Sequence, residues 1–263
     1  MTNPLAYVHT PIPDDGVFKI SPSQFAQFIS YPHQWYRSQI LKENVFSHNT
    51  ASVLGTIVHY CAEMVGRGED VSRVDIGEYI DSLAIHDEYD SHVVQSLYNE
   101  MAERLVNDYV NQNKFLEIET QHKSLIKDGY YAAGTLDALQ GTKADCMIVD
   151  YKTYNSKSKP KTIPPHYKYQ LLVYAHILKN NGYNPTRVRL VYINRNIEGE
   201  ISIKTGKQNK SYPPEVTVLT QYLTSNDYLF IEGLLDLCVD SCIAAKKYPE
   251  LTHVIFHDPR LKP

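Results

Sequence analysis

Two carboxylates and an ammonium stand in a pattern that could do chemistry: Asp137 in GTLDAL, and Asp150 with Lys152 in MIVDYKT. Their segments, 130–139 and 146–152, read as strands joined by the turn-rich QGTKAD. A turn centred near position 143 sets residues whose numbers sum to about 286 opposite one another, and Asp137 and Asp150 meet that condition within one. A register displaced by one residue would turn one carboxylate to the other face. Period two along the second strand puts Lys152 on the face of Asp150. Carboxylates packed in this way repel unless a cation lies between them, and hard oxygen donors suit Mg²⁺ or Mn²⁺. Such an ion polarises a phosphoryl oxygen and acidifies water, which Lys152 could orient or deprotonate, since a lysine pKa falls in such surroundings. By itself, DYK also fits a plain Asp–Lys salt bridge at a strand end with the second Asp in a turn, and on these three residues that simpler reading leads.

The elements that must position these residues follow from the periodicity. The first fifteen residues, with Pro4, Pro11 and Pro13, read as an extended arm. Ser21 or Ser23 can cap a helix through FAQFISYPHQWYRSQIL, interrupted near Pro32. Helical spacing continues in SVLGTIVHYCAEMV, in IGEYIDSLAIH and in SHVVQSLYNEMAERLVNDYVNQ, where Val94, Leu97, Met101, Leu105 and Tyr109 share a stripe. The period then changes. Residues 114–126 read as a strand ahead of the hairpin, HYKYQLLVYAHILKNNG as a helix ending at Gly182, RVRLVYINR and EISIKT as two more strands, and 218–246 as a final helix. The expected fold is α/β or α+β: a central mixed sheet of about five strands flanked by helices, with an N-terminal helical elaboration. One domain spans 1–263, divided into a mainly helical region to 113, a sheet core over 114–210 and a C-terminal helix and tail over 211–263.

The chain has 263 residues, 43% hydrophobic and 21% charged, a composition that excludes a disordered tail, a fibre or a disulfide miniprotein. It has no apolar run long enough to span a bilayer and no signal-like N-terminus, so a cytoplasmic protein without a membrane partner is expected. Its four cysteines, Cys61, Cys146, Cys238 and Cys242, form no CxxC pair and read as free thiols. Net charge is −4 overall, yet residues 151–210 alone carry +10, leaving −14 on the remainder. Such segregation marks a local polyanion site, with Lys157, Lys159, Lys161, Lys168 and Arg195 as candidate phosphate contacts; a solvated basic face is the other reading. Twenty-one tyrosines are many for this length. Some could stack on unpaired bases, while most serve as amphipathic packing residues.

Four segments in order carry a family resemblance. GTIVHYCAE (55–63), GTLDAL (134–139), MIVDYKT (147–153) and YQLLVYA (169–175) resemble the motifs of RecB-like nucleases in the PD-(D/E)XK superfamily, and EIETQHKSLI (117–126) resembles the first core strand of the mitochondrial genome maintenance exonuclease branch. The resemblance covers roughly residues 50–195. It implies that Asp137 and Asp150 bind the metal, that His59 supplies an imidazole, that the Tyr151 carbonyl and Glu117 complete the ligand set, and that Lys152 serves the attacking water. Glu119 competes with Glu117, because the strand register is open. Glu63, one turn from His59, is a candidate to bond that ring. Gln170 and Tyr174 share a helix face, which in the family supports Lys152 and the phosphate.

The expected protein is therefore a Mg²⁺- or Mn²⁺-dependent DNA exonuclease acting on single-stranded ends, with a structure-specific endonuclease and a non-catalytic DNA-binding module as rivals. Iron–sulfur members of the family carry a cysteine before the His helix and three near the C-terminus. Here Cys238 and Cys242 sit one turn apart on an apolar face, so no cluster is expected. No GxxxxGK[ST] motif is present, so unwinding would need a helicase or recombination partner.

Overall fold

Glycine at the tip of one hairpin governs the register on which the acidic pair depends. In a computed structural model of the chain, which describes residues 18–40, 49–69, 76–84, 91–127, 129–154, 160–194, 206–207 and 214–256, β3 (Tyr130–Thr142) turns into β4 (Asp145–Tyr154) beside Gly141 at φ +95°. A Cβ at Gly141 would stand 2.4 Å from the Asp145 carbonyl oxygen, so only glycine allows this turn. The ladder pairs Thr142 with Asp145 and runs to Ala138 with Val149. The same register carried one step further would set Asp137 opposite Asp150, as the hairpin arithmetic anticipates, but the ladder ends before that pair.

The remaining strands are β1 (Lys19–Ile20), β2 (Glu117–Lys127), β5 (Pro185–Asn194) and β6 (Val216–Tyr222), in the order β1-β3-β4-β5-β6 with β2 on β3. Pairing is antiparallel except for β1 with β3 and β4 with β5. The parallel pair β4 and β5 is connected through helix α6 (Pro165–Asn180), and the strands bury apolar runs, Cys146–Val149 in β4 and Leu190–Ile193 in β5, between helices on the two faces. The sheet is thus mixed and helix-flanked as expected, but with six strands. EISIKT lies outside the described residues. The segment 216–222, expected to open the last helix, is a strand: VTVLTQY is β-branched and pairs with β5, and the helix α7 (Ser225–Lys247) starts only after the Thr224 cap. The sheet consequently draws strands from outside 114–210, at both ends.

The N-terminal helices form as their caps dictate. Ser21 and Gln24 make a capping box on α1 (Pro22–Ser30), with Pro22 in its first turn, and α2 (Pro32–Gln39) restarts at Pro32. Asn49 and Ser52 cap α3 (Thr50–Gly66). Helices α4 (Ile76–Ala84) and α5 (Ser91–Asp108) follow. Helices α3 and α5 cover one sheet face, packing Leu54, Ile57, Val58, Met101 and Leu105 on Ala138, Val149, Tyr151 and Val191. Each of these helix side chains is essentially fully buried, a contribution of about 1.5–3 kcal/mol apiece. On the other face α6 packs Leu171, Ala175 and Leu178 on Leu136, Leu139 and Ile148. A third core joins α1, α2 and α7, and it buries Cys238 and Cys242 with Trp35 and Phe256. Among the described residues no helix is long and apolar enough to cross a membrane.

β3 shares one edge between two partners. β2 occupies its other edge, so β1 at residues 131–132 and β4 at 138–142 lie on the same side. No ladder pair fills the interval between them, and α1 enters there. A Cβ on Gly134 would meet Pro22 Cδ at 2.7 Å and Tyr174 Cε1 at 3.2 Å. Gly134→Ala is therefore expected to push α1 off the sheet and to cost about 1–3 kcal/mol, read as a Tm lower by several degrees in thermal denaturation.

Candidate active site

The site opens where β3 and β4 separate. The Tyr151 amide donates to Asp137 Oδ2 at 2.6 Å, a side chain taking the place of a strand carbonyl. Alternation in β3 breaks at this point: Leu136 and Leu139 face α6, whereas Ala138 faces α3 and α5. Asp137 is thereby aimed into the gap, with His59 Nδ1 3.7 Å from its Oδ2. Asp150 is buried. Its Oδ1 accepts from Gln170 Nε2 at 3.1 Å, and its Oδ2 lies 2.7 Å from the Lys152 ammonium. Tyr174, one turn beyond Gln170, is also buried and donates its hydroxyl to the Thr135 carbonyl, which ties α6 to β3 across the gap. The face shared by Gln170 and Tyr174 is thus directed at the acidic pair, and Gln170 reaches Lys152 through Asp150. The Tyr151 side chain turns the other way, its ring packed edge-on against those of His59 and Tyr109.

Burial sets the charge states. It lowers the His59 imidazole to about 4, helped by the Lys152 charge, so the ring is neutral, the form that ligates metals. Burial also raises the Asp137 and Asp150 carboxyls, partly offset by Lys152. For Lys152, burial acts downward, but Asp150 and Asp137 outweigh it and the net shift is upward. Without a cation between the acids, Lys152 is itself their countercharge; the expected lowering of its pKa concerns the lysine beside a bound ion.

Glu117 does not join this group, and the expectation that it does is corrected. Its carboxylate takes the Tyr183 hydroxyl and contacts His122 Nε2 at 2.7 Å, away from the gap. Glu119, its competitor, falls opposite Asp137 in the β2–β3 register and adopts φ +46°, a conformation that costs a non-glycine residue about 1–3 kcal/mol. Its side chain faces a cavity of ≈ 490 Å³ lined also by Ser21 and Pro22 of the α1 end, Gly55, His59 and Glu63 of α3, and Asp137, Lys152, Tyr167 and Tyr174. Burial, then Asp137 and Glu63, hold the Glu119 carboxyl up. Burial likewise pushes Glu63 up to about 7, with Glu69 and Asp137 adding, even beside the Arg67 guanidinium 2.9 Å away. Sequence reasoning passed over Tyr167, although it continues the stripe of Gln170 and Tyr174 by one turn.

The basic window is less free than its sequence suggests. Lys157, Lys159 and Arg195 lie outside the described residues. Lys161 is exposed. Lys168 is 3.1 Å from Asp227, the residue that completes the α7 cap, so its charge is engaged between helices. Arg187 pairs with Asp145 at 3.2 Å, and Arg189 bonds Thr220.

Among the described residues no three His, Cys, Asp or Glu side chains stand as a ready-made metal cluster. The donors nonetheless suit a divalent cation: two carboxylates and a neutral imidazole meet at one gap, and the buried Asp150 Oδ2 faces the Lys152 ammonium.

Residues 19–238 match the family described as the PD-(D/E)XK nuclease superfamily, and the chain belongs to it. Among solved structures it is similar to a candidate exonuclease from Eubacterium rectale, at 12% identity and TM-score 0.53, over 93% of this chain and 90% of that one. A looser likeness is to an alkaline exonuclease from Laribacter hongkongensis, at 13% identity and TM-score 0.37, over 72% of this chain and 90% of that one. No curated protein matches. The family match establishes the superfamily and the Eubacterium rectale structure its fold; neither shows the mitochondrial genome maintenance branch.

The two glutamates should separate by substitution. Glu119→Gln removes one repelling carboxylate and should leave Tm unchanged or raise it, whereas Glu117→Gln weakens the bonds to His122 and Tyr183 and should cost about 1–2 kcal/mol. Metal binding should follow pH. Asp137, Asp150, Glu63 and Glu119 all have raised pKa values in the folded protein, so each favours folding while protonated, and that contribution is lost as pH rises through the folded value, about 7 for Glu63. A divalent cation needs the ionised forms. Millimolar Mn²⁺ should therefore raise Tm by several degrees near pH 8 and by little near pH 5, as measured by differential scanning fluorimetry.

Proposed function

We propose that this protein is a divalent-metal-dependent DNA exonuclease that prefers single-stranded ends. What carries the reading is the convergence of Asp137, Asp150 and Lys152 at the fork of β3 and β4, with a neutral His59 beside them, in a chain of a nuclease superfamily. Asp137, Asp150 and His59 would hold the ion, with the Tyr151 carbonyl and Glu119 as the nearest further oxygen donors. Mg²⁺ or Mn²⁺, when bound, supplies Lewis acidity at the phosphoryl oxygen and makes water more acidic. The chain's own groups do the rest. The Tyr151 amide holds Asp137 in place, and Gln170 fixes the orientation of the Asp150 carboxylate. With a divalent ion held there, Lys152 would no longer be the acids' sole countercharge, and its ammonium would orient the attacking water and offset the charge that develops on the phosphate.

The preference for an unpaired strand is supported by the shape of the site. The cavity has the volume of a small-molecule cleft and is walled by the N-terminal end of α1 on one side and by α3 on another. We read this as a space for a single strand entering from an end and not for a duplex. Lys157, Lys159, Lys161 and Arg195 remain the candidates for backbone contacts along the approach.

Asp150→Asn and Lys152→Ala should each abolish cleavage; Asp150→Asn removes one of two repelling carboxylates and should keep Tm within a couple of degrees of wild type or above it, whereas Lys152→Ala removes their countercharge and should lower Tm. End-labelled linear single strands should be degraded with Mg²⁺, and blunt duplex and closed circular single strands should survive. Rapid nicking of the circle would instead make the protein an endonuclease, and binding without cleavage across metals and substrates would make it a non-catalytic module.

A further inference from the structure

We propose that His166 and Tyr167, in the first turn of α6, form a stacking platform for the nucleobase beside the phosphate that is cut, so that an unstacked base is part of what the site recognises; this rests on the nuclease reading above. Tyr167 lines the same cavity as His59, Asp137 and Lys152. Its ring centroid is 5.6 Å from Lys152 Nζ. A phosphate engaged by Lys152 would therefore have an aromatic ring at about the reach of its own nucleobase. The His166 ring lies against that of Tyr167, with centroids 3.9 Å apart and planes 49° apart, and His166 is exposed, so the pair presents an aromatic surface to solvent at the mouth of the site.

The surroundings hold this pair in place. Pro164 and Pro165 precede it, and their restricted φ leaves the first turn of α6 little freedom. Tyr192 meets Tyr167 edge-on at 5.9 Å, and Tyr154 meets Tyr192 edge-on at 5.0 Å, so the rings run outward from Lys152 across the ends of β4 and β5. Neither His166 nor Tyr167 belongs to the three apolar cores, although the next two turns of α6 are buried in them. Aromatic platforms bind bases whatever their sequence, because every base has a π-face, but only a base already out of its duplex stack offers that face.

The test scans a single abasic position along a linear single strand and measures both Kd and cleavage, for wild type, His166→Ala, Tyr167→Ala and Tyr167→Phe. In wild type, one abasic position should weaken binding about tenfold, within the range of base–aromatic stacking. In His166→Ala and Tyr167→Ala, the intact strand should bind about tenfold more weakly and the abasic penalty should disappear; Tyr167→Phe, which keeps the ring, should restore it. His166 is exposed, so its variant reports on stacking even if Tyr167→Ala folds poorly. An abasic penalty that persists undiminished in the folded alanine variants overturns the platform while leaving the nuclease reading intact. If wild type binds single strands and cuts none, the nuclease reading fails, and the Kd comparison still decides the platform.

Discussion

The hydrogen bond from the Tyr151 amide to the Asp137 carboxylate is the interaction on which the rest of the site depends. It forms because β3 and β4 stop pairing after Ala138 and Val149, leaving an amide that a strand carbonyl would otherwise take. Had the ladder continued, Asp137 would be one more cross-strand neighbour of Asp150 with no gap between them. The fork creates the space, and the amide holds one carboxylate at its rim. The helices then follow from what the fork exposes: α1 enters beside Gly134, α3 brings His59 and Glu63, and α6 brings Gln170 and Tyr174.

Gathering acids in a partly buried cavity is unfavourable in itself: burial raises the carboxyl pKa values of Asp137, Asp150, Glu63 and Glu119, and repulsion from neighbouring acids adds at Asp150, Glu63 and Glu119. The strained backbone at Glu119 adds to the cost. Two cations offset part of it: Lys152 beside Asp150, and Arg67, which bonds both Glu63 and the Ile118 carbonyl next to Glu119. A site arranged in this way is stable enough to fold and is relieved further by any divalent ion that enters.

Elsewhere the protein engages its cations locally. The described basic residues of the 151–210 window include several already committed to structure: Lys168 to Asp227, Arg187 to Asp145 and Arg189 to Thr220, while Lys179 lies over the ring of Tyr228 at 4.1 Å. Segregation of charge along the chain is therefore not the same as a basic surface in space. Among the described residues the acidic cavity is otherwise lined by aromatic and small side chains, with Lys152 its only lysine.

The sequence alone determined the parts that rest on local periodicity. The period-two hairpin with its turn near 143 set the register that leads to Asp137 and Asp150, helical spacing put Gln170 and Tyr174 on one face, and Ser21 or Ser23 marked the start of α1, where Ser21 is the cap. Each follows from contacts within a few residues or across one tight turn. What only the tertiary structure decided is everything set by a flip or a competition for partners. Glu117 and Glu119 differ by two positions and should share a face, but a left-handed φ at Glu119 turns it into the cavity while His122 and Tyr183 hold Glu117 away. Val216–Tyr222 is a strand because β5 offers it an edge. Lys152 keeps its proton because two buried carboxylates outweigh its own desolvation. These outcomes depend on neighbours distant in sequence, and no local pattern encodes them.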